Sequence, residues 1–401
     1  MNGNRRVTKR LPVKIFTIEI QTPSESIMNA QRRPSSRKPR VQTRPTACPH
    51  RSTGFTLVEL LVVIVIIGML MGIAVPAIFS AVKTARSTAM KMELNSLETA
   101  VQKYQEKYGD YPPDFSDWAV VERHYRKIFP RISGDLVLLK TLLTDTNGYN
   151  PTIMDRGEVL AWALGGYSSD PLRPFTGPGG PFELVGMGGQ AGDIPIYQVN
   201  TDRDNKLFDF TPAQLDLTIP NKNAPPTINN YYRSSDGDLF LSYAASTKTE
   251  TPFVYFDSRT YEYRNPLSTS KGFNGFWRPD AGPIRPYISD IVQTDQTWQF
   301  MKPDSFQIIA PGLDGSFGWL SKQNGTTGPN DNDTVSAVYY QYPTGKAGQV
   351  VVNPSNGVRT RVLRNDVSRY QEPVAANQID NFQQDNLTNF ADGKLIDELK
   401  E

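Results

Sequence analysis

Glu59 is the residue whose placement most demands an explanation. It lies near the start of "GFTLVELLVVIVIIGMLMGIAVPAIFS" (54–80), a stretch otherwise almost wholly apolar. A charged carboxylate inside a lone membrane-length segment costs on the order of 3 kcal/mol or more, so such residues usually serve a function. The chemistry on offer is charge pairing: an acid in that position calls for a positive partner.

The other candidate constellations carry less. "GMGGQA" (186–191) fits a G-x-G-x-x-A pattern after the strand-like "FELV". A dinucleotide site needs a helix next, with its N-terminus facing the pyrophosphate, whereas "GDIPIYQV" follows and Pro195 stands in the way. "TDRDNKLFDF" (201–210) offers Asp202, Asp204 and Asp209, but Ala213 occupies the position where an EF-hand loop needs Glu. These two stretches are expected to be a glycine loop and a solvated acidic loop. There is no G-x-S-x-G elbow and no phosphate-binding G-x-x-x-x-G-K-[ST] loop. The two histidines, His50 and His124, are too few for a His-based metal centre. Tyr-, Phe- and Trp-rich segments such as "NNYYRSSDG", "YEYRNPL" and "GFNGFWRPD" would suit stacking on sugars or bases, but packing within a domain poor in aliphatic runs explains them more simply.

The elements that position Glu59 follow from charge and periodicity. The net charge of +2 over 401 residues conceals a split. Residues 1–54 carry twelve Lys/Arg against two acids, and the rest carries thirty-one against thirty-nine. The basic segment lacks apolar periodicity and is expected to be largely disordered. Such a composition would also suit a nucleic-acid arm. With a span directly after it, the positive charge reads instead as a cytoplasmic leader. Met28 offers an alternative start, and the lone cysteine, Cys48, lies in this leader, so the body can form no disulfide within one chain. From Phe55 to Phe79 the chain would reach roughly 37 Å as helix, enough for a hydrocarbon core of about 30 Å.

Helical patterning continues through Val82, Ala85, Ala89, Met92, Val101, Tyr104 and Tyr108 until Gly109 and Pro112-Pro113 stop it. One helix over about 56–108 is predicted, bent at Pro76. Two short helices are expected around 117–128 and 135–143. Beyond them "FELVGM", "IPIYQV", "DLFLSYAA", "PFVYFDS", "DSFQIIAPG", "TVSAVYYQY" and "QVVVN" alternate with turn residues, as in an antiparallel sheet with long loops.

The order glycine, phenylalanine, short apolar stretch, single acid and apolar helix with a late proline resembles type IV prepilins, and most of all the major pseudopilins of type II secretion. The resemblance implies cleavage by a prepilin peptidase after Gly54 and N-methylation of Phe55. The leader is longer than those typical of the family. Glu59 becomes the fifth residue of the mature chain, able to face the terminal amine of a neighbouring subunit in a helical stack, so that it acts as an assembly register. An ordinary signal anchor with an acid near the headgroups is the plainer alternative.

Two further pieces resemble the same family. "EKYGDYPPD" (106–114) looks like the junction at which its helix opens into the globular domain. "IIAPGLDGSFG" (308–318) and "DNLTNF" (385–390) look like the halves of its C-terminal calcium loop, here separated by Trp319 to Gln384. Carried over by residue, Asp314 and Asp385 would supply carboxylates and Thr388 a further oxygen, in keeping with calcium's preference for six to eight oxygen ligands. Asp-Gly and Asp-Asn also mark plain turns.

The implied chain is α+β and pilin-like: a leader (1–54), a transmembrane half-helix (55–79), an amphipathic half-helix (80–110) and an extracytoplasmic domain with insertions (111–401). It would be a single-pass inner-membrane protein with a periplasmic domain. As a non-enzymatic filament subunit, its expected partners are a prepilin peptidase, further copies and other pseudopilins, an assembly platform and a secretion ATPase. Nucleic acid is not expected, because phosphate binding needs a basic track and the body is acidic. The rivals are a pilin-anchored adhesin or carbohydrate-binding module and a membrane-anchored enzyme. A clustered pair of buried carboxylates would favour the enzyme.

Overall fold

A computed structural model describes residues 54–187, 195–220, 231–246, 248–264, 273–278, 281–292, 297–318, 336–353, 355–364, 369–370 and 383–399. The leader, residues 188–191 of the glycine loop and residues 319–335 of the stretch between Asp314 and Asp385 lie outside these. The chain divides into two compact units, Met1–Ile66 and Ile67–Glu401.

Helix α1 spans Leu57–Tyr108, 52 residues, and runs through Pro76 without interruption. Its apolar window has a mean hydropathy of 2.9 and none of it is buried against protein, which fits a single-pass membrane anchor. Farther along, Met90, Leu94, Leu97, Val101 and Tyr104 are buried at alternating steps of four and three, the spacing of a helix face on a core. The stripe predicted from sequence was out of phase at its start. Val82 and Met92 are exposed, at 40% and 65%, because burial begins only at Met90 and then follows the Leu94–Leu97 side of the helix.

Helix α2 covers Trp118–Ile128, with Asp117 accepting the Ala119 amide as N-cap. Helix α3 covers Gly134–Leu142. A fourth helix, α4 (Val159–Leu164), was not foreseen; all six of its residues are buried, so it carries no polar face for periodicity to reveal. Its Trp162 packs against Tyr167, Phe175, Phe182 and Phe240 and donates its indole N–H to the Tyr125 hydroxyl at 2.6 Å. The aromatic segments mostly serve packing of this kind: Tyr261, Phe273 and Phe276 are buried, and Trp277 is the exception, 42% exposed.

The described strands form several small antiparallel sheets. Strands β1 (Val254–Asp257), β2 (Phe306–Ala310) and β6 (Leu387–Thr388) form one three-stranded sheet with β2 at its centre. Strands β3 (Ser336–Tyr340), β4 (Ala347–Val352) and β5 (Arg359–Arg364) form another. Alternation along β1 and β2 divides their side chains between two cores. Tyr255, Phe306, Ile308 and Ala310 join the α1 stripe, and Val254, Phe256 and Ile309 join Phe317, Val338 and Tyr340. Both faces of this sheet are therefore covered, which is why "VYF" reads as an apolar run and "FQIIA" is broken only by Gln307, a buried amide that donates to the Tyr287 and Met301 carbonyls.

The junction after α1 is anchored by buried polar groups. Tyr104 shares a 2.8 Å hydrogen bond with His124 of α2, and Asp110 pairs with Arg259 at 2.9 Å. Asp114 accepts from Thr260 and Asn274, and Tyr255 donates to the Pro112 carbonyl. Burial is the main cause holding the His124 pKa below that of a free histidine, so this joint is built around a neutral imidazole.

Candidate functional site

In the first unit, Thr56 and Glu59 form a reciprocal pair at the start of α1. The Thr56 amide and hydroxyl both donate to Glu59 Oε2 at 2.8 Å, and the Glu59 amide donates to Thr56 Oγ1 at 3.2 Å. This is a capping box, T-x-x-E, which satisfies helix-end N–H groups that have no partner of their own. The motif "TLVE" is readable in the sequence, so one side chain carries both a helix cap and the charge of the segment. The cap holds the carboxylate one residue short of Phe55, at the end of the helix where a new terminal amine would arise. Around it Phe55, Leu57, Val58 and Leu60 are 60–79% exposed, an apolar surface that no described residue covers.

In the second unit, the two halves of the resembled calcium loop come together. Strand β6 pairs with β2 in the register Ile309↔Thr388 and Ala310↔Leu387, which brings Asp385 to the turn after β2. Asp385 rests directly on Gly312: a Cβ there would lie 1.7 Å from its Oδ2. The turn closes through Gly315 N to Gly312 O at 3.1 Å, and Asp314 Oδ1 accepts the Ser316 amide at 2.9 Å. Burial and the neighbouring Asp314 charge push the Asp385 carboxyl up to about 6. Thr388 Oγ1 and Asn386 Oδ1 are buried and make no hydrogen bond. Two neighbouring carboxylates on a backbone that only glycine could bring so close, with two orphaned buried oxygens on the segment that follows Asp385, are the kind of donors a hard, oxygen-seeking cation takes.

A second group of carboxylates was not anticipated. Oxygens of Glu158, Asp236 and Asp238 lie within 4.8 Å of one another, and none of the three is paired with a cation among the described residues. Glu158 is 3% exposed and accepts the Asp155 amide at 2.7 Å; Asp238 accepts Ser234 Oγ and the Phe240 amide, both at 2.7 Å. Burial, then Asp155, Asp238 and Asp236, raise the Glu158 carboxyl well above its ordinary value, and Asp238 is pushed up to about 7. A carboxyl raised in the folded state gives stability that is full below its unfolded value and lost as pH rises through the folded one. Glu158→Gln keeps the oxygen that accepts the amide and removes the charge. It is expected to stabilise the protein at pH 8, where the charge it removes would otherwise have to be buried. No gain is expected at pH 4.5. Thermal melts of both proteins across that range check this; parallel pH profiles would contradict it.

With this geometry in place, the comparisons with known proteins concern the first of these sites. Residues 49–75 match the family model of the prokaryotic N-terminal methylation motif. The chain thus carries a type IV prepilin-like processing signal, the kind read by a prepilin peptidase, on the helix that fits a membrane anchor. Neither a curated protein nor a solved structure matches the chain.

Proposed function

We infer that this chain is a structural subunit of a type II secretion pseudopilus or a related type IV pilus-like filament. The observation that carries the reading is the methylation motif at 49–75, set at the head of a 52-residue helix whose apolar half is bare. The peptidase cuts after Gly54, Phe55 is methylated, and the domain stands in the periplasm. An assembly platform and its ATPase draw mature subunits from the bilayer. Glu59 then meets the terminal amine of a neighbouring copy, so a charge set in the membrane segment gains its positive partner in the assembly.

Asp314, Asp385 and the Thr388 hydroxyl are the residues that would hold a calcium ion in the domain. Bound there, the ion would cross-link the turn after β2 to the segment that precedes β6. The reading is non-enzymatic. Glu158, the buried member of the carboxylate group, is 3% exposed and holds the Asp155 amide at 2.7 Å, which fits a structural role. Gly54→Leu puts a bulky side chain at the cleavage position. It is expected to leave the leader attached and reduce sheared filaments, counted by electron microscopy, to background. Normal filaments from the variant would overturn the reading.

A further inference from the structure

The segment after Asp385 is held at two ends. Its neck closes where Leu387 bridges Lys394 and the Leu395 amide donates to Asn386 O at 3.2 Å. Its crown, Thr388 to Ala391, is gripped by α1: Lys91 Nζ donates to Thr388 O and to Ala391 O, both at 2.7 Å. Lys91 is half-buried and directly follows Met90, the first buried residue of the helix. It therefore stands where α1 first meets the domain. About two helical turns farther along, Glu98 Oε1 accepts Asn389 Nδ2 at 3.2 Å and Lys302 Nζ at 3.4 Å. Asn389 in turn is tied to β2, its Oδ1 accepting the Ile308 amide at 3.0 Å.

Asp385 thus lies just before the neck and Lys91 grips the crown of one short loop. A charged donor with two carbonyls in a half-buried setting is a strong contact that is costly to leave unmade. Whatever fixes Asp385 also fixes the carbonyls that Lys91 needs, and the converse holds by linkage.

We propose that Lys91 couples cation binding at Asp314 and Asp385 to docking of α1 on the domain, so that the loop works as a cation-operated clasp on the helix. This rests on the calcium reading above, and the test separates the two. Calcium binding by the detergent-solubilised full chain is measured by calorimetry, and hydrogen exchange is followed at the amides of Met90 to Tyr104, with α2 as internal reference.

In the unaltered chain, calcium is expected to slow exchange in the α1 stretch at least about fivefold more than in α2, the lower end of typical coupling. Lys91→Met is expected to bind calcium while losing this extra protection, and Lys91→Arg, which keeps the charge and the donors, to retain most of it. Calcium binding to the unaltered chain without preferential protection of α1 overturns the clasp and leaves the cation site standing. So does protection that persists in Lys91→Met. No calcium binding by the unaltered chain overturns both. If Lys91→Met does not fold, the unaltered chain and Lys91→Arg still decide the matter.

Discussion

Glu59→Gln is expected to cut filament recovery at least tenfold while leaving the protein processed and membrane-inserted at near-normal amounts. The isosteric change separates two jobs that one side chain performs. Glutamine serves in a capping box as well as glutamate does, so the Thr56 contacts at 2.8 Å survive in kind. The charge does not, and a loss of about 1.4 kcal/mol per contact corresponds to the tenfold drop. Thr56→Ala makes the opposite cut: it removes the hydroxyl of the cap, worth about 1 kcal/mol at a helix end, and keeps the carboxylate. Filament counts from sheared cells, normalised to membrane-bound subunit, should fall steeply for Glu59→Gln and modestly for Thr56→Ala. The reverse order would make Glu59 a helix cap and nothing more.

The second large effect is expected at Asp385. With calcium at a hundred times its dissociation constant, the unaltered protein should gain about 2.7 kcal/mol of stability over the chelated sample. Asp385→Asn should lose nearly all of that gain, because a neutral amide supplies one weaker oxygen where a carboxylate stood. It should also fold well without calcium, since the carboxyl that burial and Asp314 disfavour is gone. Melts in calcium and in chelator, for both proteins, give the result directly. Equal calcium shifts in the two would remove Asp385 from the ion.

What was legible in the sequence follows the strength of local signals. A long apolar run followed by helical patterning that Gly109 and two prolines stop gave α1 nearly to the residue, and Asp117 marked the start of α2. The "FQIIA" and "VYF" strands were visible as short runs between turn residues, but not that both their faces are buried or that they divide between two cores. Strand β5, "RTRVLR", is an outer strand of its sheet and mostly exposed or half-exposed, so it lacks the alternation that reveals a half-buried strand. Helix α4 was hidden for the opposite reason, being apolar all round.

The sites divide in the same way. Gly54, Phe55 and Glu59 fall within six consecutive residues, and their order and spacing suggested processing. Asp314 and Asp385 were paired by resemblance; what physically joins them is the Ile309↔Thr388 register, a long-range pairing that no local pattern encodes. The Glu158, Asp236 and Asp238 group is drawn from two distant segments and offered nothing to read. Lys91 is one charge among several along α1, and only the folded chain shows its ammonium on two carbonyls.

The most direct test of the central claim is mass spectrometry of the N-terminal peptide from membrane-extracted protein, made in hosts with and without a prepilin peptidase. A mature chain beginning at N-methylated Phe55, formed only when the peptidase is present, is the predicted result. An intact leader despite an active peptidase would contradict it and reduce residues 55–79 to an ordinary anchor.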